Sequence, residues 1–356
     1  MGLIVDIKKK LGNFELKVAF NTAGRVLGLL GASGCGKSMT LRCIAGVEKP
    51  DEGKIILNDR VLFDSAANIC LSPQERKVGY LFQDYALFPN MTVKQNIICG
   101  AKNEKKAEEY IKRYALNGLE KHYPSQLSGG QKQRTALARM LAAEPDAILL
   151  DEPFTALDNS LKARLERELM KMMEEYDGPV VFVSHDRNES YRLTDIIAVM
   201  ENGHISDISE KHELFRAPRT LAATLLTGCK NISRVKRLPD GKYEAADWGI
   251  ILPAPLNTGD CDYHYAGFRA HDLIPVLQPE NAEVREGLLR CELVREIEDT
   301  FSIVIHFHNK GCDGKTEYSL ITYETGKKDW DELREICKDG KLSFEIPDKS
   351  LIWMES

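Results

Sequence analysis

The string GASGCGKS (31–38) sets a lysine and a hydroxyl directly behind a glycine-rich turn. It follows the apolar run RVLGLLG (25–31) and precedes the helix-like stretch MTLRCIAGV. A strand, a glycine loop and a helix in that order make a cradle for phosphates. Gly31, Gly34 and Gly36, with Ala32, Ser33 and Cys35 between them, let the backbone N–H groups turn inward, and the helix N-terminus adds positive potential. Lys37 is placed to neutralise the β- and γ-phosphates of a nucleotide, Ser38 to ligate Mg²⁺, and Met39 follows in the first helical turn. The cofactors implied are ATP and Mg²⁺. Cys35 stands beside Lys37 and a helix N-terminus, both of which favour a thiolate. An open site is therefore expected to expose a reactive thiol there; the alternative is a buried apolar filler.

Two further strings end apolar runs in chemistry-bearing side chains. AILLDEP (147–153) closes on Asp151 and Glu152. Two carboxylates at the end of a buried strand are costly without a metal or a catalytic task. Asp151 can hold Mg²⁺ through water, and Glu152 can polarise an attacking water. VVFVSHD (180–186) delivers His185 in the same way. Alone it reads as a structural histidine; next to Glu152 and a γ-phosphate it reads as a transition-state stabiliser. A second anion site lies in LSGGQ (127–131), where Ser128, Gly129, Gly130 and Gln131 open the helical stretch QKQRTALARMLAAE. One ATP does not need two phosphate sites in one chain. Two chains arranged head-to-tail would place LSGGQ of one over the glycine loop of the other.

The elements that must position these residues follow from hydrophobic patterning. The runs 25–31, 77–82, 147–150, 180–184 and 196–200 are apolar enough for buried strands of a mainly parallel sheet. Helix-like stretches such as 131–143 and 159–176 lie between them, so residues 1–229 read as an α/β domain. After Gly228 the texture changes to short alternating runs, FSIVIHFH (301–308), YSLITYE (318–324) and KLSFEI (341–346), with turn-rich links. Residues 230–356 therefore read as a small β-rich domain, a barrel being one form open to it. In that part His306 and His308 share a strand face near Cys312; a metal site is conceivable, a solvent-facing pair simpler.

The chain has 356 residues and a net charge of −6. From Lys230 onward there are 17 basic and 24 acidic residues, a local −7, against +1 for residues 1–229. Neither part is basic enough to make nucleic acid the main partner. No stretch approaches the ~18 apolar residues that cross a bilayer, and the N-terminus lacks the apolar core of an export signal. Nine cysteines without a CxxC pair suit reduced thiols in cytosol.

In their order along residues 3–228, GASGCGKS, Gln83, LSGGQ, ILLDEP, TALD (155–158) and His185 resemble the ABC transporter ATPase family. The resemblance implies a P-loop ATPase domain with a helical subdomain. It implies a homodimer at the cytoplasmic face of a membrane, which drives separate integral permease subunits and works with an external substrate-binding protein. It also implies that Gln83 ligates Mg²⁺ and senses the permease through the residues that follow it, and that Asp158 meets the opposite chain. Phe14 occupies the place of the aromatic under the adenine, with Phe20 as a competitor. ICLSPQERKVGYLFQDYALFPNMTV (69–93) and LSGGQKQRTALARMLA look like importers of molybdate or tungstate. Importers of sulfate, iron, sugars or polyamines remain alternatives, as do soluble ABC ATPases. Against the latter, only 45 positions separate Gln83 from Ser128, with no heptad run between. YAGFRAHDL (265–273) resembles the turn of the small barrel called TOBE, except that Ala270 and His271 replace its usual Pro–Glu pair. This leaves the C-terminal part as a spacer or dimerisation domain, or as an anion sensor.

Overall fold

A computed structural model describes residues 2–23, 25–101, 103–154, 159–255, 262–277, 287–310, 312, 316–336 and 342–355. They form two compact units, Met1–Lys211 and His212–Ser356.

The first unit begins with β1 (Leu3–Leu11), β2 (Phe14–Asn21), β3 (Val26–Gly31), α1 (Lys37–Ala45), β4 (Glu52–Leu57), β5 (Arg60–Asp64) and β6 (Ile69–Cys70). It continues with α2 (Pro73–Arg76), β7 (Val78–Leu81), α3 (Val93–Ala101), α4 (Glu104–Arg113), α5 (Gly129–Ala142) and β8 (Ala147–Asp151). It closes with α6 (Asn159–Glu174), β9 (Val180–Ser184), α7 (Arg187–Leu193), β10 (Ile196–Glu201) and β11 (His204–Glu210). All eleven strands join one sheet in the order β6-β5-β4-β1-β2-β11-β10-β3-β9-β8-β7.

The five apolar runs of the sequence are its parallel half, β10-β3-β9-β8-β7. Both faces of this half are covered. Ile148 and Leu150 point into one core, with α5 and α6 residues such as Leu137, Leu165 and Leu169. Ala147 and Leu149 point into the other, with Leu27, Leu41 and Ile44. Alternation is invisible in a strand whose two faces are equally dry, so these strands read as continuous apolar runs. The other half is an antiparallel wing built from β1, β2, β4, β5 and β6. Its strands alternate instead: β1 buries Leu3, Val5 and Ile7 and exposes Ile4 and Asp6. The sheet is therefore mixed, and the wing lay outside the expectation of a mainly parallel one.

The second unit holds α8 (Lys211–Arg216), α9 (Leu221–Leu226), β12 (Asn231–Arg237), β13 (Tyr243–Ala245), β14 (Ile250–Leu252), β15 (Tyr265–Phe268) and β16 (Ile274–Leu277). After them come β17 (Leu288–Glu298), β18 (Ser302–Asn309), β19 (Ile321–Gly326), α10 (Lys327–Ile336), β20 (Leu342–Glu345) and β21 (Ile352–Met354). Two five-stranded antiparallel sheets, β14-β13-β12-β15-β21 and β16-β20-β17-β18-β19, share one core of Trp248, Phe268, Leu289, Phe307 and Phe344. His306 and His308 are half-buried in this unit, and their Nδ1 atoms lie 3.2 Å from Thr322 Oγ1 and 3.1 Å from Ser319 O. The Cys312 thiol donates to Asp247 O. These three side chains are thus engaged separately, and among the described residues no cluster of His, Cys, Asp and Glu could hold a metal by itself. Nor is any described helix long and apolar enough to cross a membrane.

Candidate nucleotide site

The glycine loop runs from the end of β3 to the start of α1. Ala32, Ser33 and Gly34 form its exposed crest, while Cys35 and Lys37 are turned inward. Gly31 is required by close approach: a Cβ there would come within 2.4 Å of Met200 O. Gly36 is required by conformation, since its φ of 110° is one that other residues rarely adopt. This left-handed residue is also the N-cap of α1, and no side chain caps that helix. The first turn of α1 carries no acidic residue. An N-terminus with neither a side-chain cap nor an acidic first turn keeps its positive end, which suits an anion.

Lys37 is only 5% exposed. Its Nζ donates to Gly31 O at 2.8 Å and to Ala32 O at 2.9 Å, closing the loop on itself. The ammonium thus sits against the backbone at the start of the loop. Cys35 corrects an expectation. It is 7% exposed, packs into the core with Leu16, Leu29 and Met200, and its Sγ lies 3.8 Å from Lys37 Nζ. The thiol is the apolar filler of the loop, not an open nucleophile.

The carboxylates arrive from β8, two strands away from β3. Asp151 is 4% exposed, and both its oxygens are engaged: Ser38 Oγ donates to Oδ1 and Tyr80 Oη to Oδ2, each at 2.8 Å. Burial first, and the charge of Asp151 second, push the Tyr80 phenol up, so it stays protonated and donates. Glu152 takes φ 44°, a left-handed backbone that costs a non-glycine residue about 1–3 kcal/mol. Its N–H donates to Val183 O on β9 and fixes that turn. The consequence is that the Glu152 carboxylate meets the His185 ring, Oε2 to Nδ1 at 3.2 Å, beyond the end of β9. The turn carrying His185 is held from behind. Ser184 Oγ donates to Glu189 at 2.6 Å and accepts from Asp186 N, while Lys162 of α6 bridges Asp186 and Glu189. Lys37, Ser38, Asp151, Glu152 and His185 are therefore gathered at the carboxyl ends of three adjacent parallel strands, the usual place for ligands in such sheets.

Phe14 opens β2 and lies against the loop: its ring tip would be 3.3 Å from a Cβ at Gly36. Phe20 is buried in the core at the far end of the same strand. Gln83 is exposed in the turn after β7. Ser128 caps α5. Its Oγ accepts from Gln131 N at 3.3 Å, and Gln131 Oε1 accepts from Ser128 N at 2.8 Å. Ser128 and Gly129 are exposed, and Gly130 is buried. Asp158 lies outside the described residues, as does the rest of TALD.

Three residues with clear roles here were not singled out in the sequence. Tyr80 is one. Arg76 is another: it is fully buried, and donates to Cys43 O at 2.7 Å, Ile44 O at 2.8 Å and Leu71 O at 3.0 Å, tying down the C-terminus of α1. The third is Arg139 of α5, which donates to Tyr85 O at 3.0 Å and Ala86 O at 2.9 Å and covers the Phe88 ring. It attaches the segment after Gln83 to the helix that Ser128 opens.

The ABC transporter family model matches residues 14–155. The sulfate/thiosulfate import ATP-binding protein of Synechocystis sp. is 41% identical over 299 residues, 81% of this chain and 80% of that protein. The chain belongs to the ABC transporter ATPase family. The molybdenum import ATP-binding protein of Mannheimia succiniciproducens is 38% identical over 221 residues, which are 61% of this chain and 63% of the relative's length. Among solved structures, the dimeric ATP-binding cassette MJ0796 in a post-hydrolysis state bound to ADP and Pi is 29% identical. It is matched over 59% of this chain and 99% of that one, with a TM-score of 0.51. This ABC ATPase thus has importer subunits among its relatives and an ATP-binding cassette as its structural neighbour.

Proposed function

We propose that this chain is the ATP-hydrolysing subunit of an importer for a tetrahedral oxyanion. Two copies would close head-to-tail on two ATP molecules at the cytoplasmic face of a membrane. The observation that carries the catalytic part is the convergence of Lys37, Ser38, Asp151, Glu152 and His185 at one sheet edge.

In this reading Lys37 exchanges the carbonyls of Gly31 and Ala32 for the β- and γ-phosphates. Phe14 lies under the adenine. The donor set fits a hard divalent cation bound mainly through the nucleotide: a hydroxyl and a carboxylate already 2.8 Å apart, with Gln83 exposed three residues after Tyr80, which donates to that carboxylate. Ser38, Asp151 and Gln83 would hold Mg²⁺, which supplies charge neutralisation at the β- and γ-phosphates. Glu152 orients the attacking water, and His185, already against its carboxylate, is placed toward the γ-phosphate. Ser128 and the glycines of LSGGQ would complete the site from the second chain, with Asp158 at the seam. Closure would reach the permease through the segment after Gln83, because Arg139 binds that segment to α5.

Residues 1–229 would form the ATPase domain and residues 230–356 an accessory domain. The oxyanion class rests on the two relatives, one named for molybdenum and one for sulfate and thiosulfate. The sulfate relative is matched over more of the chain, so sulfate stands beside molybdate and tungstate as cargo.

The test is Glu152→Gln in the full chain. Turnover should fall by at least about hundredfold, as for loss of a group that acts only in the transition state, while ATP still binds and a stable dimer accumulates on gel filtration. Normal turnover, or a monomer with bound ATP, would count against the reading. Uptake of labelled sulfate and molybdate by cells with and without the chain separates the cargoes.

A further inference from the structure

The roles assigned to Asp151 leave one of its two hydrogen bonds unexplained. Oδ1 faces Ser38, the partner expected at a nucleotide-bound cation. Oδ2 accepts from the phenol of Tyr80 at 2.8 Å. Tyr80 lies on β7, opposite Leu149 of β8 in parallel register, and its ring sits with a centroid distance of 4.1 Å from Phe82. It also packs against the core beneath the glycine loop. The strand that carries it ends at Leu81, two residues before Gln83.

We propose that Tyr80 is a positioning residue for the cation site: its phenol fixes the plane of the Asp151 carboxylate and ties that carboxylate to the strand that delivers Gln83. The inference rests on the reading of Ser38 and Asp151 as cation ligands. Its physical basis is the torsion of the carboxylate. The terminal torsion of an aspartate is broad, so one donor on one oxygen leaves the second free to swing. Donors on both oxygens, one from α1 and one from β7, hold the plane and keep Oδ1 turned to Ser38. A phenol suits this task because it donates without adding charge, so the carboxylate keeps its full attraction for a divalent cation. Outer-shell partners of this kind typically change metal affinity by about 10–100-fold when removed. The competing view is that Tyr80 merely fills space at the sheet edge, in which case its ring would matter and its hydroxyl would not.

Tyr80→Phe separates the two. In the full chain, binding of a fluorescent ATP analogue is measured first in EDTA and then across a Mg²⁺ titration, without reference to turnover. The quantity read is the ratio of nucleotide affinity with saturating Mg²⁺ to that without it, together with the Mg²⁺ midpoint. A general loss of folded protein lowers both affinities and cancels in the ratio. Binding in EDTA should stay within about twofold of the parent, and the Mg²⁺ midpoint should rise about tenfold. An unchanged midpoint overturns the proposal. Asp151→Asn serves as reference. It should shift the midpoint by itself, and adding Tyr80→Phe to it should have little further effect, because the two act through one carboxylate. If Asp151→Asn leaves the Mg²⁺ response intact, the cation-site reading falls and this inference with it. If Asp151→Asn shifts the response and Tyr80→Phe does not, only the role of Tyr80 falls. Additive shifts in the double variant would likewise overturn it.

Discussion

Helices α1 and α5 both start on glycine-rich turns, and both were read as anion sites, yet they are finished differently. The N-terminus of α1 has a left-handed glycine as its cap, no side-chain acceptor and a buried lysine folded over it. The N-terminus of α5 is already complete: Ser128 and Gln131 satisfy each other's backbone N–H groups in a reciprocal capping box. The lesson is one of division of labour. The first helix end has no side-chain cap and a lysine beside it, so under the proposed reading it would hold phosphate on its own. The second is self-sufficient in the single chain and exposed, so under the proposed reading it would add contacts only when a second chain brings a γ-phosphate up to it.

The strongest way to break this comparison is Ser128→Arg. If α5 acts across a dimer seam, a bulky side chain there displaces the second chain by an ångström or more. Hydrolysis should fall about a hundredfold, the usual size of such a misplacement, with nucleotide affinity of the isolated chain within about threefold. Mixing this variant with Lys37→Ala should restore at most one working site per dimer. Normal hydrolysis by Ser128→Arg would mean that the α5 end takes no part in the site, and the head-to-tail reading would fall. ATPase assays and equilibrium dialysis read the two quantities.

A smaller effect sharpens the comparison. Gln131→Ala removes one half of the capping box on α5, and should cost about 1 kcal/mol of stability, seen as a melting temperature lower by a few degrees. Nucleotide binding by the P-loop should not change. A melting temperature equal to the parent's would show that the box adds nothing, and that the α5 end is as unfinished as the α1 end.

The smallest effect concerns Cys35, which the fold hides inside the α1 cradle. With a maleimide at neutral pH, peptide mapping should find the exposed Cys70 and Cys99 modified well before Cys35. Cys43, buried and pushed up to about 11 by that burial, should lag with Cys35. Cys35→Ala should keep turnover within about twofold of the parent, since it removes little volume from a loop held by Lys37. Rapid labelling of Cys35 blocked by ATP would restore the open-thiol reading and make the α1 cradle looser than described.

Much of this could be read directly from residue order. GASGCGKS, ILLDEP, VVFVSHD and LSGGQ each carry their local structure with them, because a glycine loop, a doubly buried strand and a capped helix start are set by neighbours in sequence. The five parallel strands were legible for the same reason: both faces are dry, so every position is apolar. The antiparallel wing was less so, because β1 and β4 bury one face only and share their charged positions with surface stretches. What the tertiary structure alone decided is which side chains meet across the sheet. Tyr80 and Asp151 are 71 positions apart and joined through a strand register. Arg139 reaches back 53 and 54 positions to the turn after Gln83, and Arg76 reaches 33 to the end of α1. Cys35, whose neighbours in sequence argued for a reactive thiolate, is buried in a core to which other strands contribute Leu16 and Met200. Local chemistry fixes what a residue can do, and packing between distant segments fixes what it faces.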